Sequence, residues 1–268
     1  MTRLESLRES GFRNEPFDAV VSCLASRTGA SGDAWAIDYQ ANANALQLAL
    51  DLGIRHMVLL SAICVQKPKL AFQYAKLAFE KELIKSGLIY SIVRPTALFK
   101  SLSGQIKRLQ KGKSFLLFGD GTLTACKPIS DHDLGDYLTR CLEDNNLQNR
   151  ILPIGGPGPA ITPKQQGEEL FALLGRKPRY TQVPVAFLDL IVNGLSVLGK
   201  VSPALASKSE FARIGRYYAT ESMLHFDPVS QKYDEAATPS TGSETLFEFY
   251  AKLIGSNGEV DLGKHTVF

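Results

Sequence analysis

His56-Met57-Val58-Leu59-Leu60-Ser61-Ala62, followed after Pro68 by Phe72-Gln73-Tyr74-Ala75-Lys76, is the stretch that decides the fold. A short apolar run ends in a serine, and a charged helical pattern follows. In an open α/β sheet, ligands bind beyond the carboxyl ends of the parallel strands. Ser61 stands where such a strand ends, and Lys76 lies on the helix that packs beside it. Phe72, Ala75, Phe79 and Leu83 recur at spacings of three, four and four, which makes one apolar stripe. Lys76 lies at the edge of that stripe. Spacing alone leaves two readings open: a lysine that snorkels over the core edge and pairs with Glu80 one turn on, or a site residue.

Upstream, Ala19-Val20-Val21-Ser22-Cys23-Leu24 lacks polar alternation, as a strand buried on both faces does. A loop with Gly29 and Gly32 follows, then an Ala- and Leu-rich helix from Ala36 to Leu52, stopped by Gly53, with Asp38 in its first turn. Downstream, the helix Leu70 to Ser86 stops at Gly87, and Ile89 to Val93 is a third strand closed by Arg94-Pro95. Three strand–helix units in a row predict an α/β fold with a parallel Rossmann-type sheet.

Beyond Pro95 the pattern changes. Leu102 to Lys111 reads as a helix. Phe115 to Phe118 and Leu123 to Ile129 flank Gly119-Asp120-Gly121, a hairpin signal inserted at about 114–129. Ser130 with Asp133 predicts a cap for a helix Leu134 to Leu142, which also accounts for His132 between two aspartates. Ile151 to Ile154 is a short strand. Thr162-Pro163-Lys164-Gln165 is a capping box opening a helix to Leu174. The chain is then helical in pattern from Val183 to about Tyr218, and a last helix is expected over Glu244 to Ile254. The expected organisation is a sheet domain over 1–155, a smaller, mainly helical lobe over 156–254 and a loose tail over 255–268.

At 268 residues the chain can bury a sizeable core, and a net charge of +3 gives no electrostatic case for nucleic acid. Cys23, Cys64, Cys126 and Cys141 are scattered, fitting neither a disulfide framework nor a metal site. The most apolar segment, Val183 to Val201, carries Pro184, Asp189, Asn193 and Lys200, against a membrane span. Met1 to Asn14 has Glu5 and Glu9 and no apolar run, unlike a leader peptide. No Gly-rich phosphate-binding turn is found ahead of Val20, so about half of a dinucleotide site is expected in this chain.

Several runs carry a resemblance. Strand, Cys-Leu-Ala-Ser, a helix with Asp38-Tyr39-Gln40-Ala41, Leu-Leu-Ser-Ala, Lys76, Arg94-Pro95-Thr96 and Ile129-Ser130-Asp131-His132-Asp133-Leu134-Gly135 follow in that order. The order resembles an atypical or extended short-chain dehydrogenase/reductase. More narrowly, Val20 to Arg27, Leu59 to Pro68 and Tyr90 to Ala97 resemble the divinyl chlorophyllide 8-vinyl reductases. The resemblance covers roughly Ala19 to Tyr250.

That resemblance implies NADPH as cofactor, reduction of a vinyl group on a divinyl chlorophyllide or protochlorophyllide, and a chloroplast location. It implies that Cys23, Leu24 and Ala25 lie against the cofactor's ribose. Ser61 then faces the nicotinamide, Lys76 holds the nicotinamide ribose, and Pro95, Thr96 and Ala97 contact the carboxamide. One position departs from the wider family: Phe72 stands four residues before Lys76, where a carbonyl reductase needs a phenol as proton donor. Reduction of a carbon–carbon double bond does not need it there. Tyr74, on another face of the helix, and a water are the remaining proton donors, and Phe72 and Phe99 are candidate apolar walls for the pigment. The segment Val183 to Tyr218 is read either as a pigment-facing lobe, peripheral to a pigment-bearing membrane, or as helices packed on the sheet. A second reading keeps the fold and drops catalysis, leaving a pigment- or partner-binding protein or a sensor of NADP.

Overall fold

The computed structural model describes residues 4–13, 15–198 and 203–256. Its strands are β1 (Ala19–Ser22), β2 (His56–Leu60), β3 (Ile89–Pro95), β4 (Phe115–Phe118), β5 (Arg150–Ile154), β6 (Tyr180–Val183), β7 (His225–Asp227) and β8 (Lys232–Asp234). Its α-helices are α1 (Leu4–Ser6), α2 (Ser31–Ala34), α3 (Asn42–Asp51), α4 (Ala71–Lys85), α5 (Ile106–Gln110), α6 (Asp131–Glu143), α7 (Pro163–Leu173), α8 (Val185–Leu198), α9 (Pro203–Thr220) and α10 (Leu246–Gly255). They divide between two units, Met1–Pro95 with Gly135–Pro153, and Thr96–Leu134 with Ile154–Phe268.

The first unit is built on a sheet of order β1-β2-β3-β5. β2 runs parallel to both β1 and β3, with His56 level with Ala19 on one side and Ile89 on the other. His56, Met57, Val58 and Leu59 are all buried, which is why β2 shows no polar alternation. Phe79 and Leu83 of α4 pack with Met57, Leu59, Ile92, Ala45 and Leu46. Each such fully buried side chain contributes roughly 1.5–3 kcal/mol. The stripe on α4 therefore faces inward as its spacing predicts, except that Phe72, at the helix start, is only partly buried. Gly87 ends this helix with φ 83°, a left-handed conformation that glycine adopts without steric cost.

The helical path before β2 differs from the expectation of one α-helix from Ala36. It begins at Ser31, and its middle, Trp35–Ala41, widens into a π-helical turn between α2 and α3. The Asn42 amide donates back to the carbonyls of Ile37 and Asp38, holding the wider turn.

In the second unit, Phe99, Ile106, Leu109, Phe115, Leu117, Leu170, Phe171, Leu246, Tyr250 and Leu253 form the core. The expected hairpin at 114–129 is replaced. β4 pairs in parallel with β6, a strand the sequence reading lacked, while the chain around Cys126 makes only isolated bridges, to Ile161 and Met223. The Gly119-Asp120-Gly121 turn is real, with Asp120 accepting from the Thr122 amide and hydroxyl, but the chain leaving it does not return along β4. The apolar stretch after Val183 is two helices, α8 and α9, with 199–202 outside the described residues. A short antiparallel ribbon, β7–β8, was also not foreseen. The caps were legible: the Ser130 hydroxyl accepts from the Asp133 amide, and Thr162 and Gln165 form a complete capping box. Of the expected tail at 255–268, Gly255 is the last residue of α10, and 257–268 lie outside the described residues.

Candidate functional site

At the carboxyl end of β2 the chain anchors Ser61 through its amide, which donates to the Val93 carbonyl of β3 at 2.7 Å. Its hydroxyl donates to Glu80 Oε1 of α4 at 2.5 Å. Arg94, at the end of β3, donates from Nε to the same oxygen at 3.1 Å and from its terminal nitrogen to Oε2. Both carboxylate oxygens of Glu80 are thus occupied, in the two-pronged geometry that guanidinium and carboxylate share. Glu80 is 2% exposed and Ser61 5%.

One turn earlier on α4, Lys76 is also buried. Its ammonium meets Asp38 Oδ1 at 3.0 Å, and the side chains are 10% and 1% exposed. The same oxygen accepts the Ser26 amide at 3.3 Å. Oδ2 is buried and finds no hydrogen-bond partner among the described residues. An unmatched acceptor of this kind costs roughly 1–3 kcal/mol. Asp38 lies in the π-helical turn, which Asn42 ties down from below while accepting the Ser22 hydroxyl of β1 at 2.5 Å. The pairing of Lys76 with Glu80 that spacing suggests is therefore not formed. Glu80 is already taken by Arg94 and Ser61, and the carboxylate that reaches Lys76 comes from another helix.

The other expected residues fall as follows. Cys23 and Ala25 are exposed and Leu24 partly so, in the turn after β1. Partial desolvation raises the Cys23 thiol, so it is protonated at neutral pH. Tyr74 is half exposed, and its hydroxyl donates to the Pro68 carbonyl at 3.1 Å. Pro95 is the last residue of β3. In the second unit, the Thr96 hydroxyl donates to the Lys127 carbonyl and its amide to the Ile154 carbonyl, while Ala97 accepts the Ile129 amide. Phe99 is buried in that unit's core, its ring 5.4 Å from Phe249.

Asp38 and Arg94, the charge partners of Lys76 and Glu80, were not among the candidates, and the partner that spacing suggests for Glu80 is not the one it has. The usable signals were an aspartate among apolar neighbours Ala36, Ile37 and Tyr39 and an arginine closing an apolar strand, since charges in such places are buried only when paired. No group of metal-binding side chains is found among the described residues, and no helix of the described residues is long and apolar enough to cross a membrane.

Residues 14–145 match the family of NAD(P)H-binding domains. The chain is 49% identical over 275 residues to the divinyl chlorophyllide a 8-vinyl-reductase, chloroplastic, of Oryza sativa subsp. indica, aligning all of this chain with 68% of that one. It is 50% identical over 262 residues to the protein of the same name from Arabidopsis thaliana, with 95% and 63% covered. The chain thus spans about two thirds of the length of these relatives. Among solved structures it resembles the NADPH-dependent quinone oxidoreductase of Escherichia coli complexed with NADPH, at 16% identity and a TM-score of 0.61 over 94% of this chain and 81% of that one. A nucleoside-diphosphate-sugar epimerase from Staphylococcus aureus gives 16% identity and a TM-score of 0.59, over 93% and 81%. At that identity the structures speak for the fold alone.

Proposed function

The chain belongs to the divinyl chlorophyllide a 8-vinyl-reductase family, and from that premise we propose that it reduces the 8-vinyl group of a divinyl chlorophyllide to ethyl with NADPH, in the chloroplast. The observation that carries the reading is identity of 49–50% to relatives of that name over 95–100% of this chain.

The buried pair suits a hydroxylated ligand. An ammonium has three N–H donors, and Asp38 takes one from Lys76. Two donors on Lys76 and the unmatched Oδ2 of Asp38 form a mixed donor and acceptor set, as ribose hydroxyls require. Ser61 gives its proton to Glu80, so its oxygen faces any ligand as an acceptor. We assign no residue of this chain to the cofactor's pyrophosphate.

When bound, NADPH supplies the hydride. Saturating a vinyl group takes that hydride at one carbon and a proton at its neighbour, and NADP is left oxidised. The protein's share is placement of the vinyl group against the cofactor. Phe72 brings no proton where a carbonyl reductase would have a phenol. Tyr74 and water are the two proton donors the residues offer, and we favour water, because the Tyr74 hydroxyl is bound to Pro68 and half of the residue is in solvent.

The test is conversion of divinyl chlorophyllide by this chain with NADPH, followed by absorbance and mass. Conversion with a gain of two mass units supports the reading. Cofactor binding without conversion would replace it with a non-catalytic sensor. In the same assay Tyr74→Phe is expected to stay within about twofold of the wild type, and a larger loss would make Tyr74 the proton donor.

A further inference from the structure

We propose that Asp38 is the positioning residue of the cofactor site, fixing where Lys76 presents its ammonium. This rests on the reading of Lys76 as a cofactor ligand and adds a residue to it. Lysine is a point charge on a flexible four-carbon stem, so its placement must come from what holds the tip. Here the tip is held at 3.0 Å by a carboxylate that is itself 1% exposed.

The carboxylate is in turn fixed by its backbone. It sits in the π-helical turn Trp35–Ala41, and such turns are uncommon and recur at functional sites. Asn42 grips the Asp38 carbonyl at 3.2 Å and Ser22 of β1 at 2.5 Å. Through Oδ1 the same group receives the amide of Ser26, the residue after the Cys23–Ala25 turn. One carboxylate therefore ties the turn after β1 to the lysine of α4.

A purely structural role fits poorly with Oδ2. Glu80, one turn along α4 from Lys76, has both oxygens satisfied, whereas Asp38 keeps one unmatched in the interior. Its own hydrogen bonding does not account for its burial. Holding Lys76 does.

The experiment is a double-mutant cycle on the dissociation constant of NADPH, read by cofactor fluorescence on the 268-residue chain. Asp38→Asn keeps the shape and an acceptor for Ser26 but removes the charge. The expected result is about a tenfold weakening in Asp38→Asn, within the range of coupling between charges in contact. Lys76→Met weakens binding at least as much, and adding Asp38→Asn to Lys76→Met changes it by less than about twofold.

A full Asp38→Asn loss in the Lys76→Met background would overturn the proposal, because the effect would then not pass through the lysine. So would a loss in Lys76→Met with none in Asp38→Asn. No loss in Lys76→Met would sink the reading of the site itself along with this one. If Asp38→Asn does not fold, Asp38→Glu keeps the charge and displaces it by one methylene, and the same cycle is read with it.

Discussion

Glu80 and Lys76 stand one turn apart on α4, both buried and both paired with an opposite charge, yet the two contacts are finished to different degrees. Around Glu80 both carboxylate oxygens have partners: Ser61 and the two-pronged Arg94 occupy them. Around Lys76 the account stays open, with one ammonium bond made, and one carboxylate oxygen of Asp38 left over. A buried polar group left short of partners costs free energy, and a complete network rigidifies what surrounds it. The difference separates a clamp joining the ends of β2 and β3 to α4 from a pair that, on the proposed reading, a ligand completes.

The largest effect expected from this contrast is on stability. Glu80→Ala strands the Arg94 guanidinium, 16% exposed, beside a serine with no acceptor. Removing one partner of a buried pair costs about 3–5 kcal/mol, which urea unfolding would read. NADPH affinity of the protein that remains folded should fall by less than the roughly tenfold expected for Asp38→Asn, because Glu80 reaches the cofactor site only through Ser61. A large affinity loss with little loss of stability would reverse the roles assigned to the two contacts. The Asp38 cycle described above probes the other side of the comparison, where about a tenfold change in affinity is expected.

The smallest effect sharpens the comparison by removing a confounder at the other end of β2. His56 is buried there, and desolvation lowers its pKa from 6.5. The unfolded chain, with the ordinary histidine value, binds a proton more readily than the folded one. Stability is therefore retained above about pH 6.5 and lost as pH falls below it. His56→Gln should flatten the drop in urea midpoint between about pH 7 and 5. If the drop persists unchanged, groups other than His56 carry it.

The sheet of the first unit was legible because local pattern and burial agree there. β2 and the Phe79 and Leu83 stripe are apolar for the same reason that they are central. Ser61 and Lys76 could be named as candidates from their place at a strand end and on the next helix. What was not legible depends on contacts distant in sequence. Asp38 meets Lys76 across 38 positions through a π-helical turn that spacing on an α-helix does not predict, and Arg94 displaced Lys76 from Glu80. In the second unit, β4 found its partner in β6, more than sixty residues on, where the nearer apolar run had suggested a hairpin. The Asp227-Pro228 turn that opens the β7–β8 ribbon carried a signal that was not used, with Asp227 accepting the Val229 and Ser230 amides.

The most direct test of the account is a titration of NADPH into the wild-type chain and into Lys76→Met, side by side. The wild type should bind saturably and the variant about tenfold or more weakly, as expected for loss of a charged hydrogen-bond donor. Equal affinity in the two proteins would contradict it, and would leave the Asp38–Lys76 pair as a feature of the fold with no part in holding the cofactor.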